Sequence, residues 1–155
     1  MIILGIDPGT RRIGYGVIES EKGKCKLLDA GILKIESKDD SGALLETRQQ
    51  LEVLIKQFRP DIFAIEKLYF AKNQKTAFAV AQARGALLLS AIESNLEIRE
   101  FTPNEVKLGV AGDGSADKKA ILKMVKLILN APKLDVIDDA SDALAVAIMA
   151  SNKKY

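Results

Sequence analysis

The sequence predicts an α/β fold, a mixed five-stranded sheet flanked by helices. Three observations predict it. Two apolar runs, Met1–Asp7 and Asp61–Glu66, have the length and content of buried strands, and each ends in a carboxylate. Two loosely alternating segments, Arg12–Glu19 and Cys25–Ile35, follow the first run. From residue 41 onward, strand patterns alternate with helix patterns.

Met1–Asp7 is the first strand, closed by the turn Asp7-Pro8-Gly9. Arg12–Glu19 and Cys25–Ile35 are the second and third, joined by a hairpin turn at Glu21-Lys22-Gly23-Lys24. Ser41–Phe58 is a helix, because Leu44, Leu45, Leu51, Leu54, Ile55 and Phe58 recur at helical spacing. Pro60 ends it. Asp61–Glu66 is the fourth strand, and Asn73–Ser94, rich in Ala and Leu, is a long helix. Glu97–Phe101 is a short fifth strand. Pro103–Leu108 reads as a helical turn, after which Gly109, Gly112 and Gly114 break the chain into a flexible loop. Ala116–Asn130 is a helix with a basic face of Lys118, Lys119, Lys123 and Lys126. Pro132–Ile137 is a loop and Asp138–Ser151 the last helix. Three antiparallel strands followed by alternation place strands one and four side by side and parallel.

Composition narrows the chemistry. The 155 residues suit a single domain, 1–155, and 48% are hydrophobic, enough for a core. No stretch approaches ~18 uncharged apolar residues, so no spanning helix and no membrane association are expected. No basic region precedes the first apolar run, so a signal peptide is not expected. A single cysteine, Cys25, cannot form an internal disulfide, which fits a reducing, cytoplasmic location. The sequence has no histidine. That excludes a Ser-His-Asp triad, a Cys-His dyad and every His-based zinc site. Any metal must be held by oxygen, which suits magnesium, manganese or calcium. The charge is uneven. Residues 67–129 carry 10 basic and 6 acidic groups, whereas the segments on either side are each slightly acidic. A basic region beside acidic ones suits a metal-dependent nuclease, although an ordinary solvated surface can show the same excess.

Four carboxylates stand at strand ends or at a helix start: Asp7, Glu66, Asp139 and Asp142. Each has an ordinary structural use, in a turn, at a strand end or near a helix dipole. Asp139 and Asp142 lie about 60° apart around a helix, on one side. Four anions together raise one another's pKa unless a cation sits among them. Two divalent ions roughly 3.5–4 Å apart can activate water and stabilise a leaving oxygen in phosphodiester hydrolysis. Spacing does not choose among Asp138, Asp139 and Asp142, and the stripe of Ala140, Leu144, Ala147 and Ile148 eliminates none of them. Capping does discriminate, since Asp138 precedes the helical run and reads as its N-cap.

Several motifs occur in order. They are Gly5-Ile6-Asp7-Pro8-Gly9-Thr10, Gly14-Tyr15-Gly16, Ile65-Glu66, Ala71-Lys72-Asn73, Gln82-Ala83-Arg84-Gly85, Val106-Lys107, Gly112-Asp113-Gly114-Ser115-Ala116 with Lys118, and Asp139-Ala140-Ser141-Asp142-Ala143-Leu144-Ala145. Together they resemble the RuvC family of bacterial Holliday junction resolvases, within the RNase H-like superfamily. The resemblance runs from Met1 to about Ala150. It implies an RNase H-like fold and a homodimer that nicks four-way DNA junctions symmetrically, in homologous recombination and DNA repair. It implies a requirement for Mg²⁺, two ions per subunit, with Mn²⁺ able to substitute, and action alongside the RuvA–RuvB branch-migration complex. Carried over residue by residue, the catalytic and metal-holding acids are Asp7, Glu66, Asp139 and Asp142. The DNA-binding positions are Tyr69, Lys72, Lys107 and Lys118. Lys75 and Arg84 stay unassigned. Departures are Lys67, where glutamine is common, and Tyr69, where phenylalanine is. The long helix exceeds what one buried face needs, which suits a dimer seam.

Rival readings are an actin-like ATP-binding domain, a non-catalytic junction-binding module and an RNase H-like nuclease acting on RNA precursors. The first needs a second phosphate loop and roughly twice the chain. The second could lose the acids, and all four are present. The Lys107-to-Lys118 segment and Gln82-Ala83-Arg84-Gly85 weigh against the third.

Overall fold

The computed structural model describes residues 1–68 and 74–152. The described strands are β1 (Ile2–Asp7), β2 (Arg12–Glu21), β3 (Lys24–Lys34), β4 (Ile62–Glu66) and β5 (Glu97–Phe101). They form one sheet in the order β3-β2-β1-β4-β5. The pairs β1–β2 and β2–β3 are antiparallel, while β1–β4 and β4–β5 are parallel. The helices are α1 (Asp40–Phe58), α2 (Gln74–Glu93), α3 (Pro103–Ala111), α4 (Lys118–Ile128) and α5 (Asp138–Ser151). The expected class and strand neighbours are observed. Among the described residues, no helix is long and apolar enough to cross a membrane.

Alternation along the central strands divides the core into two layers. Leu4, Ile6, Phe63 and Ile65 face one side, with Leu51 of α1 and Leu87 of α2. Ile3, Ile62 and Ala64 face the other, with Leu144, Ala147 and Ile148 of α5. Helices α3 and α4 pack over the far side of α5. Hence α5 is buried from Ala140 to Ala150 except at Asp142. The predicted stripe is therefore too narrow, because a helix covered on every side needs no polar face.

Glycines let α5 press onto the sheet. A Cβ on Gly5 would lie 2.2 Å from the Ala143 carbonyl oxygen, and one on Gly14 2.0 Å from that of Asp139. No side chain fits at either point, so these residues set where Asp139 stands.

The segment after β5 departs from expectation. Residues 103–111 form a helix, not a single turn, and Gly109 lies within it. A capping box starts the helix. The Thr102 hydroxyl accepts from the Glu105 amide at 3.2 Å, and the Glu105 carboxylate accepts from the Thr102 amide at 2.6 Å. The helix ends at Gly112, whose φ is 72°. Gly109 gives room to Met149, whose sulfur would lie 2.1 Å from an added Cβ.

Candidate active site

Parallel pairing brings the first two acids together. Gly5 pairs with Ala64 and Ile6 with Ile65, and one step further come Asp7 and Glu66 at the two strand ends. Both continue the face of Ile3, Ile62 and Ala64, so both lie on the α5 side of the sheet. The start of α5 supplies the others. Its N-cap position is Ile137, which gives no side-chain cap. The expectation that Asp138 caps the helix is therefore corrected: the chain enters the helix one residue early, and Asp138 lies inside its first turn. The Asp138 side chain is 74% exposed and sits 3.5 Å from the Lys118 ammonium. Asp139 and Asp142 are each about one-third exposed.

Electrostatics tie the four acids into one cluster. Burial pushes the Asp7 carboxyl up to about 7, and the negative charges of Asp142, Glu66 and Asp139 add to the shift. Burial also pushes Glu66 up to about 7, with Asp142 adding and the ammonium groups of Lys107 and Lys118 opposing. Asp142 is raised by burial, with Lys118 opposing. Asp7 and Glu66 resist ionising near neutral pH because burial strips them of water and the negative charges around them are not fully compensated.

Two side chains supply part of the compensating charge. Arg12 Nε and Nη2 each lie 3.2 Å from Asp139 Oδ2. Lys118 Nζ lies 3.4 Å from Asp142 Oδ2. Asp117 caps the start of α4, accepting from the Ala120 amide at 2.8 Å, and so fixes Lys118 at the first helical position. A cleft of about 350 Å³ opens between Glu66, Lys107, Lys118 and Asp142, with Pro103 and Val106 on its wall. Arg84, unassigned from sequence, donates from Nε to the Glu66 carbonyl at 3.2 Å and pairs with the Glu100 carboxylate. It thereby anchors the end of β4. Sequence reasoning missed Arg12 altogether. Its signal was parity with Gly14, two residues on along the same strand face. Tyr69 and Lys72 lie outside the described residues.

Among the described residues, no three acids are already gathered in ligating positions. Asp139 and Asp142 are turned toward Arg12 and Lys118 instead. The donor set still fits a hard cation: it is all oxygen, and Asp7 and Glu66 are raised first by burial and then by neighbouring carboxylates, a penalty that a cation would relieve.

Comparison with known proteins places this geometry. The model for crossover junction endodeoxyribonuclease RuvC matches residues 3–150. The chain belongs to the RuvC family. The crossover junction endodeoxyribonuclease RuvC of Natranaerobius thermophilus is 47% identical over 152 residues, covering 97% of this chain and 94% of that protein. The solved Thermus thermophilus RuvC superposes with a TM-score of 0.87 at 30% identity, covering 96% of this chain and 92% of that one. T. thermophilus RuvC in complex with a Holliday junction substrate gives 0.85 at 27% identity, with the same coverage. RuvC is a metal-dependent nuclease family.

Proposed function

We propose that this protein is a structure-selective endonuclease that resolves Holliday junctions by paired symmetric nicks, in homologous recombination and DNA repair. The observation that carries this is the convergence of Asp7, Glu66, Asp139 and Asp142 at one sheet end beside a lysine-lined cleft, in a chain of the RuvC family. The whole chain, 1–155, acts as one nuclease domain and works in the cytoplasm.

The four acids would hold two Mg²⁺ ions, with Mn²⁺ able to replace them. Bound there, the metal supplies an activated water and stabilises the departing oxygen. The chain's own residues do the rest. Lys107 and Lys118 flank the cleft and neutralise phosphates of the entering strand. Arg84 holds the Glu66 backbone, so that carboxylate keeps its place beside Asp7. Tyr69 and Lys72 complete the DNA contacts, Tyr69 by stacking on a junction base.

Paired nicks need two sites, and α2 offers a seam for a homodimer. Phe78, Leu89 and Ile92 are 80%, 51% and 59% exposed and fall on one line along the helix. Gly85 lies on that line, and nothing comes within 4 Å of where its Cβ would be. Large apolar side chains around an open glycine suit a second helix packed against them. The dimer acts with RuvA–RuvB.

Incubation with Mg²⁺ and a mobile four-way junction tests the proposal. Symmetric nicks in strands of like polarity are expected, and Asp7→Asn should bind the junction but leave it whole. Binding without nicking by the unmodified protein selects the module. Cleavage of structured RNA but not of junctions selects the RNA-precursor nuclease.

A further inference from the structure

We propose that Arg12 is a built-in counter-cation of the acidic site, holding Asp139 until a divalent ion takes that carboxylate. This rests on the reading of Asp139 as a metal ligand. Arg12 is thus a positioning residue that competes with metal.

The placement follows from the strand. Arg12 and Gly14 share a face of β2, two residues apart. Gly14 has no side chain, and the Asp139 backbone occupies the space one would fill. The start of α5 is thereby pressed against β2, and the Arg12 side chain meets the Asp139 carboxylate beside it. Both Nε and Nη2 approach the same oxygen, Oδ2, at 3.2 Å. Across the sheet Arg12 pairs with Lys34, another cation, which gives it no reason to turn the other way.

The chemistry then sets a competition. The Arg12 guanidinium at Oδ2 puts a positive charge beside the carboxylate that a divalent ion would take, and the two cations repel, so the ion pair weakens when metal binds. The Arg12 side chain is 60% exposed. It can leave Asp139 for solvent without opening a hole in the core. Lys118 plays the corresponding part at Asp142 from α4. Before metal arrives, the cluster therefore has a positive group on both of its helix-borne acids. This accords with the finding that, among the described residues, no three acids are gathered in ligating positions.

The test is Mn²⁺ binding to DNA-free protein, by calorimetry or by the spin resonance of free Mn²⁺. Arg12→Gln should bind Mn²⁺ about threefold to fivefold more tightly than the unmodified protein, the size of one exposed ion pair. Arg12→Lys keeps the charge and should stay within about twofold of it. Added Mn²⁺ should also raise the melting temperature more in Arg12→Gln than in the unmodified protein. Asp139→Asn serves as the control and should weaken Mn²⁺ binding. If it does, and Arg12→Gln binds Mn²⁺ no more tightly than the unmodified protein, the counter-cation role is overturned while Asp139 remains a ligand. If Asp139→Asn leaves Mn²⁺ affinity unchanged, the ligand reading fails and the proposal with it.

Discussion

Asp138, Asp139 and Asp142 lie within four residues of one another, and the fold gives them different work. Asp138 points to solvent and Lys118, whereas Asp139 and Asp142 adjoin the buried Asp7. Asp139→Asn and Asp142→Asn should each abolish junction nicking in a gel assay. Asp138→Asn should keep most of it, since its loss removes only an exposed ion pair, worth about 0–1 kcal/mol. An inactive but folded Asp138→Asn beside an active Asp139→Asn would reverse the assignment. The capping argument that set Asp138 apart in the sequence does not hold, and its exposure beside Lys118 is what sets it apart in the fold. Nothing local shows that Ile137, with no side-chain oxygen, takes the cap position, because packing of α5 on β1 and β2 decides where the helix begins. Arg12 was illegible for a similar reason, as an arginine after Asp-Pro-Gly reads as surface until α5 arrives beside it.

The buried acids also set a pH dependence. The ordinary values for Asp7 and Glu66 are 3.8 and 4.5, and both stand at about 7 in the folded protein. Between these limits the folded state binds more protons than the unfolded state, so stability falls as pH rises. Without divalent metal, the urea midpoint should be higher at pH 5.5 than at pH 8 and should level off above about 7.5. Mn²⁺ affinity should move the opposite way, rising through pH 7 as protons leave the ligands. A metal-free midpoint that rises steadily from pH 5.5 to 8 would contradict the burial of these groups.

At the scale of elements, the contact between α5 and the sheet is the joint on which the site depends. Gly14→Ala places a methyl carbon where the Asp139 carbonyl stands. Backbone must move, and overpacking of this kind costs about 1–3 kcal/mol or more. Chemical denaturation should show that loss, and nicking should fall further than stability explains, because the shift displaces a proposed ligand. A Gly14→Ala protein with normal stability and activity would mean the helix is not fixed there. Strands β1 and β4 were legible because apolar runs ending in acids repeat in the sequence. Helix α3 was legible at its start, where Pro103 opens the helical turn read from the sequence, but not at its end. Gly109 reads as a breaker, and only the sulfur of Met149, forty residues on, explains why a glycine sits inside a helix.

For the molecule as a whole, the exposed line on α2 bears on how two cuts become one event. If the proposed homodimer uses this seam, Leu89→Glu should give a monomer in sedimentation or light scattering where the unmodified protein gives a dimer. A surface substitution should leave the fold within about 0.5 kcal/mol. Nicks should then fall singly, with paired incision lost. A Leu89→Glu protein that stays dimeric would move the seam elsewhere, to the exposed Leu45 and Val53 of α1, for example.

The burial of α5 also sets an order in time. The helix fills the layer between the sheet and α3 and α4, and carries two of the four proposed acids, yet it follows every one of those elements along the chain. A nascent polypeptide emerges from its amino end. Until α5 has been translated, the layer on its side of the sheet has no central helix to condense on, and only half of the proposed catalytic set is present. The segment that completes one layer of the interior is thus the same one that supplies the last two of the proposed acids.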